Sequence, residues 1–176
     1  MDATGIEERH TALIAQIRMA FAGVTRMGGV SLHEADVIDG YGSPQQRNAA
    51  RKLDTDRVWW EVPDADIERY HWILSFLDAT GFRYYIPAYM TWTLAHYEHS
   101  ESDSGDKTIY ALDCGERRND HKLQYFKLFS REQSEAVCAF LRFMEDDPTG
   151  MADSGAALGA LKRYWGQFCA EETSSG

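Results

Sequence analysis

The side chains best suited to chemistry in this chain are its histidines and acids, and the densest group is His96-Tyr97-Glu98-His99. Two histidines three apart at a helix end can turn both imidazoles toward one ion. A catalytic zinc site also needs a third protein ligand and a water, and the helical pattern of histidines four apart with a glutamate between them is absent. His96 and His99 are therefore the metal candidates, with a polar helix end as the simpler reading and no cofactor expected. A second group, His33-Glu34-Ala35-Asp36 with Asp39, places a histidine and three carboxylates on a short predicted helix, where Asp36 and Asp39 share a face. Paired carboxylates can hold a divalent cation or act as acid and base. No glycine-rich loop or EF-hand spacing accompanies them, so a solvated face is expected.

Nucleophiles are no better organised. There is no G-x-S-x-G elbow, Ser75 falls inside a predicted helix, and no phosphate or dinucleotide fingerprint occurs. No catalytic residue is assigned. Cys114, Cys138 and Cys169 form no CxxC. Cys138 and Cys169 flank apolar helix faces and read as small packing hydrophobes. Cys114, in DCGERR, reads as the most exposed; Arg117 and Arg118 would lower its pKa while Asp113 and Glu116 oppose that. An odd cysteine count after the acidic, polar start MDATGIEERH fits a reducing cytoplasm.

Asp78 is the odd acid. It falls in the last turn of a predicted helix over Ile67–Asp78, where the dipole disfavours a negative charge by up to about 1 kcal/mol. It is expected to accept hydrogen bonds from Arg83 or from backbone amides near Pro87, as a structural anchor or as part of a site. A small-molecule pocket beside it would be lined by Trp59 or Trp60, Tyr85 and Arg83.

Those residues need elements to hold them. The stretch IERYHWILSFLDATGFRYYIPAYMTWTLAHY, Ile67 to Tyr97, is the richest in aromatic and apolar residues. It reads as a helix closed by Gly81, a strand over Phe82–Ile86 with period-two alternation, and a second helix begun by Pro87. FLDATGFRYYIPAYM, followed by YFKLFSREQSEAVCAFLRFM, resembles the signature of a bacterial family of domains of unknown function, over roughly Ser31 to Met144. The resemblance implies one compact bacterial domain and carries no activity, cofactor or catalytic residue.

Around that stretch, Ile6, Leu13, Ile17 and Phe21 mark one face of a first helix. Ser31 with Glu34, and Ser130 with Gln133, are capping boxes, and Ser43-Pro44 is a further helix start. Arg57–Val62 reads as a strand that sends Trp59 and Trp60 to opposite faces. Ile109–Leu112 reads equally as helix or strand, and Leu123–Phe129 is a third candidate strand. Val137, Phe140, Leu141 and Met144 give the clearest amphipathic helix, ended by Asp146-Asp147-Pro148. Leu158, Leu161, Trp165 and Phe168 form an apolar stripe that must be covered, by the domain or by another chain. The end, from about residue 170, reads as a frayed tail.

The chain of 176 residues fits a single domain, and 44% hydrophobic residues exclude a disordered chain. A net charge of −10 argues against neutralising nucleic-acid phosphates or docking on anionic membranes. No apolar run is long enough to span a bilayer. Acids gather at Glu98, Glu101, Asp103 and Asp106 and again at Glu145, Asp146 and Asp147. A fold bringing these segments together would present a negative face to a basic protein partner, with Tyr97 and Tyr110 as anchors. The expected architecture is a mainly helical α+β domain, with six or seven helices around a minimal antiparallel sheet. The expected role is a non-enzymatic, immunity-like or adaptor-like interaction protein. A small-molecule binder and a metal-dependent hydrolase are the alternatives.

Overall fold

Helix accounts for every regular element. The computed structural model describes residues 3–116, 120–147 and 149–169, with side chains from residue 7 onward. Within them the chain forms α1 (Ala3–Ala20), α2 (Leu32–Asp39), α3 (Pro44–Arg51), α4 (Asp64–Arg69), α5 (Ala79–His96), α6 (Ser104–Ala111), α7 (Asp120–Phe126), α8 (Arg131–Glu145) and α9 (Ser154–Arg163). Single 3₁₀ turns lie at Trp59–Glu61, Ile73–Ser75 and Trp165–Phe168. The described residues contain no strand. The α+β expectation and its antiparallel sheet are thereby overturned, and the fold is all-helical. Arg57–Val62 holds a 3₁₀ turn, Phe82–Ile86 lies inside α5, and Leu123–Phe129 belongs to α7 and the turn after it.

The reason is clearest in α5. Phe82, Tyr84 and Ile86 are buried, as a strand face would be, but so is Tyr85 between them. A helix that is apolar all round has no polar stripe, and such a helix sits at the centre of a fold. Neighbours pack around α5: α1, α4, α6, α7 and the 3₁₀ turn at Trp59. Gly81 does not close a helix. It sits in the first turn of α5 because Val30 passes so close that a Cβ at position 81 would run into its carbonyl. Pro87 does not begin a helix either; it lies inside α5 and gives no amide to the ladder. The helix expected over Ile67–Asp78 is broken into α4 and the Ile73–Ser75 turn.

The capping signals hold. Ser43 accepts from the Gln46 amide at 3.3 Å with Pro44 in the first turn, and Ser130 accepts from Gln133 at 3.2 Å. At the start of α2 the Ser31 amide donates to Glu34 at 3.3 Å, which is the Glu34 half of the box, while the buried Ser31 hydroxyl makes no hydrogen bond among the described residues. Val137, Phe140, Leu141 and Met144 are buried on α8, which packs against α1 and α9. On the last helix, Ala157, Ala160 and Leu161 are buried, and Trp165 beyond it donates its indole N–H to the Leu112 carbonyl at 2.7 Å. Of the expected stripe, Leu161 and Trp165 are thus covered by the chain itself, while Leu158 and Phe168 are half-buried.

Two cysteines correct the expectation that they only pack. Cys138 on α8 and Cys169 form a disulfide across a separation of 31 residues, with a Cα–Cα distance of 5.4 Å. Cys114, expected to be the most exposed, is buried at 2%. Arg117 and Arg118, its expected modulators, and Pro148, the expected stop after α8, lie outside the described residues, as do the Ile6 side chain and the tail from residue 170. No helix among the described residues is long and apolar enough to cross a membrane.

Candidate functional site

The expected pocket around Asp78 does not assemble. Asp78 is the N-cap of α5, and one oxygen, Oδ1, accepts from the Gly81 amide at 2.8 Å and from the Val30 amide at 2.9 Å. The expected donors, Arg83 and the amides near Pro87, are elsewhere. Arg83 Nε donates to Gln133 at 2.9 Å, and Gln133 in turn donates to the Ala20 carbonyl at 3.1 Å, which braces α5, α8 and α1 together. Tyr85 is fully buried and takes a hydrogen bond from Arg26. Burial, with Asp54 and Asp56 nearby, pushes its phenol well above the usual range. The surrounding polar network was not anticipated: Tyr84 donates to Asp56 at 2.7 Å, and His33 Nδ1 lies 2.8 Å from Asp54. It ties the segment before Trp59 to α5 and leaves few groups to offer a ligand.

The acids of α2 disperse in the same way. Glu34 pairs with Arg47 at 3.0 Å and with Arg51. Burial works against its charge, but both arginines hold its carboxyl below the usual range. Asp39 accepts from the Trp72 indole at 3.0 Å. His96 and His99 part company: His96 lies 3.5 Å from Asp64 and against the Trp92 ring, whereas His99 lines a separate recess with Glu7, His10 and Glu98. Among the described residues, no group of three or more histidine, cysteine or acidic side chains is placed to hold a metal ion.

Two recesses do collect predicted residues. The first, of about 180 Å³, is lined by Tyr97, Glu101, Asp103 and Asp106 together with Met144 and Met151. Its acids all come from the first acidic segment; of the second, Asp147 accepts from Tyr97 at 3.0 Å and Asp146 lies 3.7 Å from Arg9, while the Asp153 amide donates to Asp106 at 3.1 Å. Tyr97, expected as an exposed anchor, is buried, and Tyr110 is exposed but already donates to Asp153 at 2.7 Å.

The second is an aromatic cleft of about 240 Å³ between α1, the Trp59 turn, α4 and α5. Its floor is Ala88, Thr91, Trp92 and Ala95, which recur at i, i+3, i+4 and i+7 along α5 and so share one face. The small alanines keep that floor low. One wall is Trp59 and Trp60, packed edge to face with centroids 5.3 Å apart. The expectation that a strand sends this pair to opposite faces fails: both rings line the same cleft from a 3₁₀ turn, and they differ only in exposure, Trp59 being buried and Trp60 39% exposed. Arg18, on α1 above Ile14, places its guanidinium 5.4 Å from the Trp60 ring centre. Asp64 and His96 stand at the rim.

The indole nitrogens separate this cleft from the rest of the core. Trp59 donates to Phe21 O at 3.1 Å, Trp72 to Asp39 and Trp165 to Leu112. Trp92, only 3% exposed, has no acceptor for its N–H among the described residues. A buried donor without an acceptor costs about 1–3 kcal/mol; Trp92 lines the cleft while its N–H, closed to solvent, stays unpaired. Arg18, Asp64 and Trp92 were not flagged by the sequence. The signal available was the alanine, threonine and tryptophan spacing on the second face of α5.

Comparison with known proteins adds a family. The family described as DUF6714, of unknown function, matches residues 9–169, which encloses the Ser31–Met144 span of the sequence resemblance. No curated protein and no solved structure matches the chain.

Proposed function

We propose a binding role for this chain, which belongs to the DUF6714 family of unknown function: it is a non-enzymatic domain that takes a small molecule in the aromatic cleft. The observation that carries this reading is the Trp92 N–H, buried in a cleft residue and lacking an acceptor. Its walls pair two tryptophan rings with a few polar groups, and its volume of about 240 Å³, below the usual range for drug-sized ligands, suits a small molecule. No set of nucleophile, base and oxyanion donors converges on the cleft. His96 beside Asp64 is a base without a nucleophile, since the Thr91 hydroxyl is committed to the Pro87 and Ala88 carbonyls at 3.0 and 3.1 Å.

The test is to release small molecules from natively purified protein by denaturation and identify them by mass. Ala95→Phe, at an exposed position on the cleft, fills the space without touching the core. A compound present in wild type and absent from Ala95→Phe supports the reading; equal recovery from both refutes it.

The acidic recess favours a second reading, recognition of a basic protein. Glu101, Asp103 and Asp106 line it beside Met144 and Met151, a combination that suits the charged head and methylene stem of a lysine or arginine. Such a contact would be screened by salt. Pull-down at low and high salt, with Glu101→Gln, Asp103→Asn and Asp106→Asn combined, decides it: partners that persist in high salt and with the triple variant rule it out. The compartment follows the redox state. The cysteine count suits a reducing cytoplasm, whereas a Cys138–Cys169 disulfide persists in an oxidising one.

A further inference from the structure

The cleft's polar groups are mismatched in a way that describes what it lacks. An indole N–H donates and cannot accept, and a guanidinium likewise only donates. Trp92 has no acceptor, and Arg18 has no carboxylate within 4.0 Å among the described residues, its charge lying over the Trp60 ring instead. The one acid of the cleft, Asp64, faces His96 at 3.5 Å. Thr91 has its hydroxyl directed back to its own helix. One donor, the Arg18 guanidinium, is therefore open at the surface, the Trp92 N–H is a second donor that is buried and unpaired, and no acceptor is open to balance them, while the exposed Trp60 offers a flat apolar surface.

Building on the cleft as the ligand site, we infer that its ligand is a small planar anion, an aromatic carboxylate in class. The ring packs against Trp60, the carboxylate accepts from the exposed Arg18 guanidinium, and it reaches the buried Trp92 N–H as the cleft floor opens around it. The geometry suits a planar acid twice over. Arginine matches a carboxylate with two parallel N–H groups, and charge-assisted bonds of this kind are the strong ones. A ring stacked beside a guanidinium gains from both the aromatic and the cationic neighbour. A cation in the same place would leave the Trp92 N–H unmatched and would face Arg18 with like charge. His96 and Asp64 at the rim are more solvated, with side chains 42% and 69% exposed, so the Asp64 charge is screened from the cleft floor.

The test uses three probes that share a ring and differ in charge: naphthoate, naphthamide and naphthylmethylammonium, titrated into the full chain by calorimetry. Naphthoate should bind at least about tenfold more tightly than either of the others. Arg18→Gln, at a solvent-exposed position, should erase most of that preference and leave the fold intact. Trp60→Ala should weaken all three. If the three probes bind alike, or the ammonium binds best, and Trp60→Ala still weakens them, the cleft stands as a site and the anionic class is wrong. If none binds, or Trp60→Ala changes nothing, the cleft is not the site and the inference falls with it.

Discussion

Removing the Asp78 side chain tests the reassignment of this residue from helix end to helix start. Its Oδ1 receives the amides of Gly81 and Val30, at 2.8 and 2.9 Å. The first bond is an N-cap, worth about 0.5–2 kcal/mol against alanine. The second fastens the segment before α2 to α5, and losing one such bond costs about 0.5–1.5 kcal/mol. Asp78→Ala should therefore destabilise the protein by about 1–3.5 kcal/mol. Asp78→Asn keeps an oxygen where Oδ1 sits and forfeits mainly the charge at the positive end of the α5 dipole, about 0.3–1 kcal/mol. In urea, with a slope of about 2 kcal/mol/M, alanine should lower the midpoint by about 0.5–1.8 M and asparagine by about 0.2–0.5 M. An alanine midpoint equal to wild type would mean the cap does not hold α5. Asparagine as costly as alanine would mean that charge, and not the doubly accepting oxygen, is what matters.

Leu141, fully buried on α8, should cost about 2–5 kcal/mol when replaced by alanine, read as a lowered denaturation midpoint; an unchanged midpoint would place α8 outside the core. Reduction of Cys138–Cys169, which closes a loop of 31 residues, should lower stability by about 3–4 kcal/mol, measured as a thermal midpoint with and without reductant; identical midpoints would contradict the link. Burial works against the charge of Asp147, but the amides of Ala152 and Thr149, the Thr149 hydroxyl and the Tyr97 phenol together hold its carboxyl below the usual range. A depressed carboxyl stabilises fully above its unfolded value, about 3.9, and that contribution is lost as pH falls through the folded value. Asp147→Asn should flatten stability against pH in this acid window while leaving neutral pH comparatively unaffected in slope; a profile as steep as wild type would refute the assignment.

Helix ends were legible because capping is local. Ser43 and Ser130 carry their signal within three residues, and each caps a helix in the structure. The amphipathic α8 was legible because one of its faces meets water. The central helix α5 was not, because its signal depends on what surrounds it. Phe82-Arg83-Tyr84-Tyr85-Ile86 alternates only if Tyr85 points to water, and Tyr85 is buried against Arg26. Gly81 and Pro87 then looked like punctuation, whereas Gly81 answers to the approach of Val30, a contact between residues 51 apart in sequence that no window along the chain contains. At the cleft, adjacent Trp59 and Trp60 announced a wall, and His96 was marked for a different reason. Arg18 and Trp92 became site residues only through packing. A tryptophan in an apolar helix looks the same whether or not its N–H finds an acceptor.

The central claim is that the aromatic cleft receives a ligand at the Trp92 indole. Its most direct measurement is the set of tryptophan indole N–H resonances during a naphthoate titration, assigned by single Trp→Phe variants. Trp72 and Trp165, which do not line the cleft, already donate to Asp39 and to the Leu112 carbonyl at 3.0 and 2.7 Å, and their signals should stay in place. The Trp92 signal should move downfield as its N–H gains an acceptor, saturating with the same affinity that calorimetry gives. A Trp92 resonance that stays fixed while naphthoate binds would contradict the account.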